Sequence, residues 1–186
     1  MQADWEIEIG RGAPVIDAAW SGLVDLRRNP ERVDEVGETA LVPALAPALL
    51  RLNSAWSSVW TVKCDVWTPE AIDPDELDAP AAETACALAC YIDLLPRAAA
   101  DRSSLVEMEA FCRRLCGLLR LIPARCCRAD LIVRRAVLGG EGESLGITAY
   151  LSACGASQDG AATALSAAIS ASADSLCPNP AQEKTA

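Results

Sequence analysis

The chain has 186 residues, 52% of them hydrophobic and 23% charged, so it is long and apolar enough to bury a core without a metal or a disulfide. It carries 16 Lys and Arg against 26 Asp and Glu, a net charge of −10, and it has no histidine. The lack of histidine excludes Ser-His-Asp and Cys-His nucleophile pairs and imidazole metal ligands. The negative charge disfavours nucleic acid and anionic membranes as partners.

The first predicted element is a β-hairpin. Residues 4 to 9 alternate polar and apolar side chains, which is typical of a strand. The Gly-Arg-Gly turn at 10–12 leads into a second extended run from 13 to 20. We therefore expect these two strands to pair with each other.

Two helices and a strand are predicted next. Asn29 is followed by Pro and Glu, the form of a helix start, and a short helix to about residue 36 precedes a second helix over 38–52. The strand over 58–67 alternates strictly, so its side chains divide between two sheet faces. One face is expected to carry Trp60, Val62, Cys64 and Val66, and the other Thr61, Lys63, Asp65 and Trp67.

An acidic connection over 68–78 is followed by a predicted helix over 81–95, which is apolar around most of its circumference. Ser104 and Glu107 match the capping box, in which each residue's side chain satisfies a free N–H group of the other. Apolar residues then recur three and four positions apart up to Pro123, so a second amphipathic helix is expected here.

The C-terminal part is predicted as a second hairpin and a helix. Residues 125 to 138 alternate, the Gly-Gly-Glu-Gly sequence at 139–142 forms the turn, and 144–154 supplies the returning strand. An Ala- and Ser-rich helix over 158–176 follows. Residues 177–186 are expected to form a flexible tail, which leaves a single domain over 1–176.

Strands that come in hairpins favour an α+β fold. We expect a mostly antiparallel sheet made of two hairpins and a central strand, with the helices packed on one face, in a ferredoxin-like or related arrangement. The second sheet face is then open, and charged and aromatic side chains lie on it as a candidate recognition surface. Its candidate binding residues are Lys63, Asp65, Trp67, Arg128, Asp130, Arg134 and Tyr150.

Cysteine spacing offers an alternative site. Cys86 and Cys90 are four residues apart within one predicted helix, and Cys112 and Cys116 repeat this spacing in the next. If the two pairs faced each other, four thiolates could bind a soft metal such as Zn²⁺ or Cu(I). The competing interpretation is that these cysteines are ordinary core residues, and we predict no cofactor.

The sequence favours a binding or interaction module for a protein partner or a small ligand. A basic partner would suit the acidity of residues 1–78, which hold 15 acids and 6 bases. A thiol- or metal-handling protein and an enzyme with an Asp/Arg site on the open face remain alternatives. A homodimer could reuse the sheet face or an edge strand. Nine cysteines without a signal peptide predict a cytoplasmic location.

Overall fold

A computed structural model describes residues 1–139 and 142–177. They form an α+β structure with one mixed sheet of six strands. The strands are β1 (Gln2–Ile7), β2 (Ile16–Asp17), β3 (Val59–Trp67), β4 (Cys86–Pro96), β5 (Cys127–Val137) and β6 (Glu143–Gly155). The α-helices are α1 (Glu38–Leu41), α2 (Leu45–Asn53), α3 (Ala99–Ser103), α4 (Leu105–Arg120) and α5 (Gln158–Leu176). Two short 3₁₀ helices cover Pro30–Glu35 and Ala81–Glu83.

The sheet has the strand order β1-β5-β6-β4-β3, and β2 also pairs with β5. The three pairs β3–β4, β4–β6 and β5–β6 are antiparallel, whereas β1 and β2 each run parallel to β5. The sheet is thus mixed and not mostly antiparallel as expected. The predicted N-terminal hairpin is wrong because both of its segments pair with the same distant strand. The ferredoxin-like arrangement stays a prediction.

The predicted helix over 81–95 is also wrong, because this segment is mainly strand β4. Along β4, Cys90, Ile92 and Leu94 are buried in the main core cluster, while Ala89, Asp93 and Leu95 are buried on the opposite side of the sheet. A strand covered on both faces has no period-two polarity. Its composition therefore resembles that of a buried helix.

The C-terminal hairpin and helix match their predictions closely. Strands β5 and β6 pair over eleven positions, and α5 covers the predicted residues, with the Ser157 hydroxyl accepting a hydrogen bond from the Gly160 N–H. The predicted turn includes Gly140 and Glu141, which lie outside the described residues. So do residues 178–186 of the predicted tail, whereas Cys177 is buried against the core.

Helices α2, α4 and α5 bury their apolar sides against one face of the sheet. The capping box that opens α4 is confirmed in part, because the Ser104 hydroxyl accepts a hydrogen bond of 3.3 Å from the Glu107 N–H. The strand residues under these helices include Ala129, Leu131 and Val133, all buried as the alternation predicted. Since these helices cover one face of the sheet, only the opposite face can carry a binding surface.

Two connecting segments cover the ends of that opposite face. The first consists of β2 and the residues after it: Ile16 of β2 packs with Trp60 and Leu95 in a second apolar cluster, and Leu23 packs against them. The second precedes β4, where Leu77 packs on Cys126 and Cys154 in a third cluster. Between the two segments the side chains are partly exposed, and we call this middle part the open face.

Candidate binding surface

A row of five residues crosses the open face from one sheet edge to the other. Asp4 lies opposite Asp130, Asp130 opposite Tyr150, Tyr150 opposite Tyr91, and Tyr91 opposite Asp65. We call these five residues the central row. Adjacent strands are about 4.8 Å apart, so the row places two phenols between carboxylates within one short span.

The two tyrosines form an aromatic cluster with Trp67. The Trp67 ring centroid is 6.2 Å from that of Tyr91 and 6.1 Å from that of Tyr150, and the two tyrosine centroids are 6.0 Å apart. The Trp67 and Tyr150 rings meet edge to face at 87°. Tilted and edge-on contacts are the preferred geometries for aromatic pairs. Trp67 remains 37% exposed, so the cluster presents ring surface to solvent.

Two cations flank the cluster. The Lys63 ammonium lies 6.0 Å from the Tyr91 ring centroid, and the Arg134 guanidinium lies 5.8 Å from that of Tyr150. A hydrogen bond with Tyr91 raises the pKa of Lys63, which therefore stays charged. Arg134 forms a salt bridge of 2.7 Å with the exposed Glu8. Both cations therefore already have partners beside the cluster.

Asp93 lies beneath this surface and is only 5% exposed. Burial raises the pKa of its carboxyl to about 6, while a hydrogen bond from Thr148 and the charges of Lys63 and Arg134 act in the opposite direction. The Thr148 hydroxyl donates to the Asp93 carboxylate at 2.6 Å. The open face thus contains a buried acid that titrates above its usual range.

A β-bulge in β3 directs Lys63 toward this site. The pairing register with β4 shifts between Thr61 and Cys64, so Val62 and Lys63 together oppose Asp93. Bulges of this kind redirect side chains and are common next to functional sites. Because of the bulge, the prediction that four residues of this strand share one face is wrong. Trp60 and Val62 join the second cluster, whereas Cys64 and Val66 pack against the main core on the other face.

Arg128 and Asp130 form a salt bridge on the same strand. The Arg128 guanidinium contacts the carboxylate oxygens at 2.7 to 2.8 Å. This hydrogen bond is the main cause of the raised pKa of Arg128. The two charges largely neutralise each other, which leaves Asp65 and Asp4 as the more exposed carboxylates of the central row.

The structure places all seven predicted binding residues on this side of the sheet. Lys63, Asp65 and Trp67 lie beside Tyr150 and Arg134, and Arg128 with Asp130 lies on the adjoining strand. Sequence reasoning missed Tyr91 and Asp93, because their segment was interpreted as a helix. Once that segment is treated as a strand, its alternation puts both residues on the open face.

The four cysteines of the metal hypothesis have a different setting from the one expected. Cys86 and Cys90 lie on strand β4 and not on a helix, and Cys90, Cys112 and Cys116 are buried in the main core cluster. Burial raises the pKa of Cys112 to about 12 and that of Cys116 to about 11. Within residues 1–139 and 142–177, no three Cys, Asp or Glu side chains are grouped so as to hold a metal ion.

Among the described helices, none has the length and apolar character needed to cross a bilayer. Comparison of the chain with protein-family models, with curated proteins and with solved structures finds no match in any of the three.

Proposed function

We propose that this protein is a cytoplasmic binding module that takes a basic segment of a partner protein on its open face. The observation that carries the proposal is the central row, in which Tyr91 and Tyr150 lie between the exposed Asp65 at one end and Asp130 with the exposed Asp4 at the other. A guanidinium or ammonium group is attracted both to aromatic faces and to carboxylates. The row offers both within a few ångströms.

The shape of the surface supports a peptide side chain as ligand. A shallow depression of 440 Å³ lies over Asp130 and Tyr150 and reaches Asp4 and Glu6 on the edge strand. The charged residues that line it are acidic except for Arg128. Trp67 adds an exposed aromatic anchor at the other end, of the type that dominates binding energy at interfaces.

The net charge supports the same class of partner. A charge of −10 steers a basic partner toward the protein, and the effect weakens as salt screens it. The same charge opposes binding to nucleic acid or to anionic lipid. The enzyme alternative is less well supported, because Arg128 and Asp130 neutralise each other. The soft-metal alternative has less support as well, because Cys90, Cys112 and Cys116 are buried.

The test uses fluorescent peptides of alternating Arg and Ser, with an alternating Glu and Ser peptide as the opposite-charge probe. Fluorescence anisotropy should report binding of the Arg peptide that weakens steeply toward about 0.5 M NaCl. The Asp4→Asn, Asp65→Asn double variant, which removes the two more exposed carboxylates of the central row, should lose about tenfold or more in affinity. Trp67→Ala should lose affinity without changing the net charge.

The matched control is the Glu31→Gln, Asp34→Asn double variant, which removes the same charge from a 3₁₀ helix away from the open face. We expect it to retain nearly all affinity at moderate salt. An equal loss in the two double variants would mean that overall charge, and not the central row, binds the peptide. Absence of Arg-peptide binding at low salt would reject the proposal outright.

A further inference from the structure

A preformed cavity of 140 Å³ lies apart from the central row, beside the bulge of edge strand β3. It is enclosed by the segment that follows β2, by the turn that precedes α1 and by β3 itself. Its apolar lining includes Leu26, Leu49 and Cys64, which are all buried, and the half-buried Val36. An apolar cavity of about 150 Å³ is large enough to hold a benzene molecule.

Trp20 forms one wall of the cavity and is held there by two contacts. A Cβ atom added to Gly22 would lie 2.0 to 2.8 Å from three atoms of the Trp20 ring, so the ring packs directly on the glycine backbone. The Trp20 indole N–H also donates to the Val62 carbonyl at 3.3 Å. The ring is thus fixed against the bulge, and the cavity is formed without a ligand.

The rim of the cavity carries both signs of charge. The Lys63 ammonium lies 5.7 Å from the Trp20 ring centroid, and an ammonium has three donors that can bind a carboxylate. Two acidic residues, Glu35 and Glu38, also line the cavity. Glu35 is engaged by Arg32 in a salt bridge of 2.7 Å, which leaves Glu38 as the acid of the rim.

Ligand pockets typically combine an apolar lining with a few charged groups that fix the orientation of the ligand. We infer that this cavity binds a small zwitterion, an aliphatic α-amino acid. Its side chain lies on the apolar floor, its carboxylate faces Lys63 and its ammonium faces Glu38. The inference does not rest on the proposed function, since Lys63 is the one rim residue that also borders the aromatic cluster.

The test compares three small probes that share the same isobutyl group, by calorimetry or by ligand-observed NMR. These are L-leucine, 4-methylpentanoate, which lacks the amino group, and 3-methylbutylamine, which lacks the carboxylate. L-leucine should bind with a dissociation constant of about 10 mM or lower. Each single-charge probe should bind about tenfold more weakly or not at all. Equal binding of all three probes, or binding of none, would overturn the inference.

Variants locate the binding within the cavity. Glu38→Gln and Lys63→Met should each lower the affinity for L-leucine about tenfold. Val36→Phe should abolish binding by filling the cavity, and circular dichroism confirms that this variant is folded. Asp159→Asn should leave L-leucine binding unchanged, because Asp159 is exposed at the start of α5 and lies outside the cavity lining. Loss of L-leucine binding in Asp159→Asn, or its survival in folded Val36→Phe, would contradict the assignment.

Discussion

Thr148 donates a hydrogen bond of 2.6 Å to Asp93, and both side chains are buried on the same face of the sheet. The unfolded pKa of an aspartate is close to 3.8, whereas burial raises that of Asp93 to about 6. The folded state therefore keeps a proton that the unfolded state has already lost. Between these two values the stability of the protein falls as the pH rises.

Replacing Asp93 with Asn should therefore stabilise the protein at about pH 7.5 much more than at about pH 4.5. A difference of two pKa units corresponds to about 3 kcal/mol, fully expressed above the folded pKa. The Asn side chain can still accept the hydrogen bond from Thr148. Urea denaturation at the two pH values measures the gain.

The control for this prediction is Asp65→Asn, which removes a carboxylate from the exposed part of the same face. It should change the free energy of unfolding by less than about 0.5 kcal/mol at either pH. An equal gain for Asp93→Asn at both pH values would show that the effect does not come from titration of this group.

Two glycines should respond to alanine in opposite directions. A Cβ atom at Gly155 would lie 2.5 Å from the Ala161 nitrogen and 2.7 Å from the Gly160 carbonyl carbon, both backbone atoms. Gly155→Ala should therefore cost about 1–3 kcal/mol by forcing α5 away from β6. Gly117 lies inside α4 with no such neighbour, so Gly117→Ala should stabilise by about 0.5–1 kcal/mol.

Thermal unfolding of both glycine variants checks this pair. The expected result is a lower melting temperature for Gly155→Ala and a higher one for Gly117→Ala. If Gly155→Ala melted at the wild-type temperature, the close packing of the α5 N-terminus on β6 would be refuted.

Two arginines should differ in how much each contributes to the stability of the fold. Arg97 donates to the carbonyl groups of Val59, Asn53 and Ser54 at 2.8 to 3.2 Å and joins the end of α2 to the sheet. Arg97→Met removes these bonds and should cost about 3 kcal/mol. Arg134 has a buried Nε without a hydrogen-bond partner within the described structure, and its salt bridge partner Glu8 is largely exposed.

Arg134→Met should consequently change the free energy of unfolding by less than about 1 kcal/mol, because an ion pair whose carboxylate is largely exposed contributes little and the methionine keeps much of the packing. Chemical denaturation of both methionine variants gives the comparison. A larger loss for Arg134→Met than for Arg97→Met would contradict the assignment of Arg97 as the stabilising residue.

The cysteines should differ sharply in reactivity. Cys86 is half-buried, whereas the other eight are buried. Burial raises the pKa of Cys64 and of Cys126 to about 12, so these thiols are protonated at neutral pH. Only the thiolate reacts quickly with an alkylating reagent.

Iodoacetamide should therefore label one site quickly in the folded protein, and Cys86→Ser should abolish this fast labelling. The remaining thiols should react only when the protein unfolds. Mass spectrometry of the labelled chain identifies the site. Persistent fast labelling in the Cys86→Ser variant would show that a second thiol is accessible.

The C-terminal third of the fold is predictable from local patterns. Strand β5 alternates from Cys127 to Arg134 because helices cover one of its faces and the other is largely polar, and α5 begins at a serine cap. Strand β4 defeats the same reasoning, since Ala89, Asp93 and Leu95 are buried on the face that should have been polar. Tertiary burial, which local sequence does not encode, decides its structure.

Only part of the candidate surface can be predicted from the sequence, because local alternation identifies some of its strands and misses β4. Lys63, Trp67 and Tyr150 are evident from alternation in strands that were correctly identified. Tyr91 completes the aromatic cluster only after β4 takes its place between β3 and β6. No local pattern places these strands next to each other, because strand order depends on the whole chain.

The parallel pairing of β1 with β5 determines when the sheet can be completed during synthesis. Gln2 lies opposite Arg128 and Ile7 opposite Val133, so every rung of this ladder joins residues about 126 positions apart. Contacts this distant close large loops and slow folding. A nascent chain that ends before Cys127 has β1 without the strand it pairs with. Strand β1 therefore docks only after the ribosome has made β5, and Asp4 joins the central row at that step.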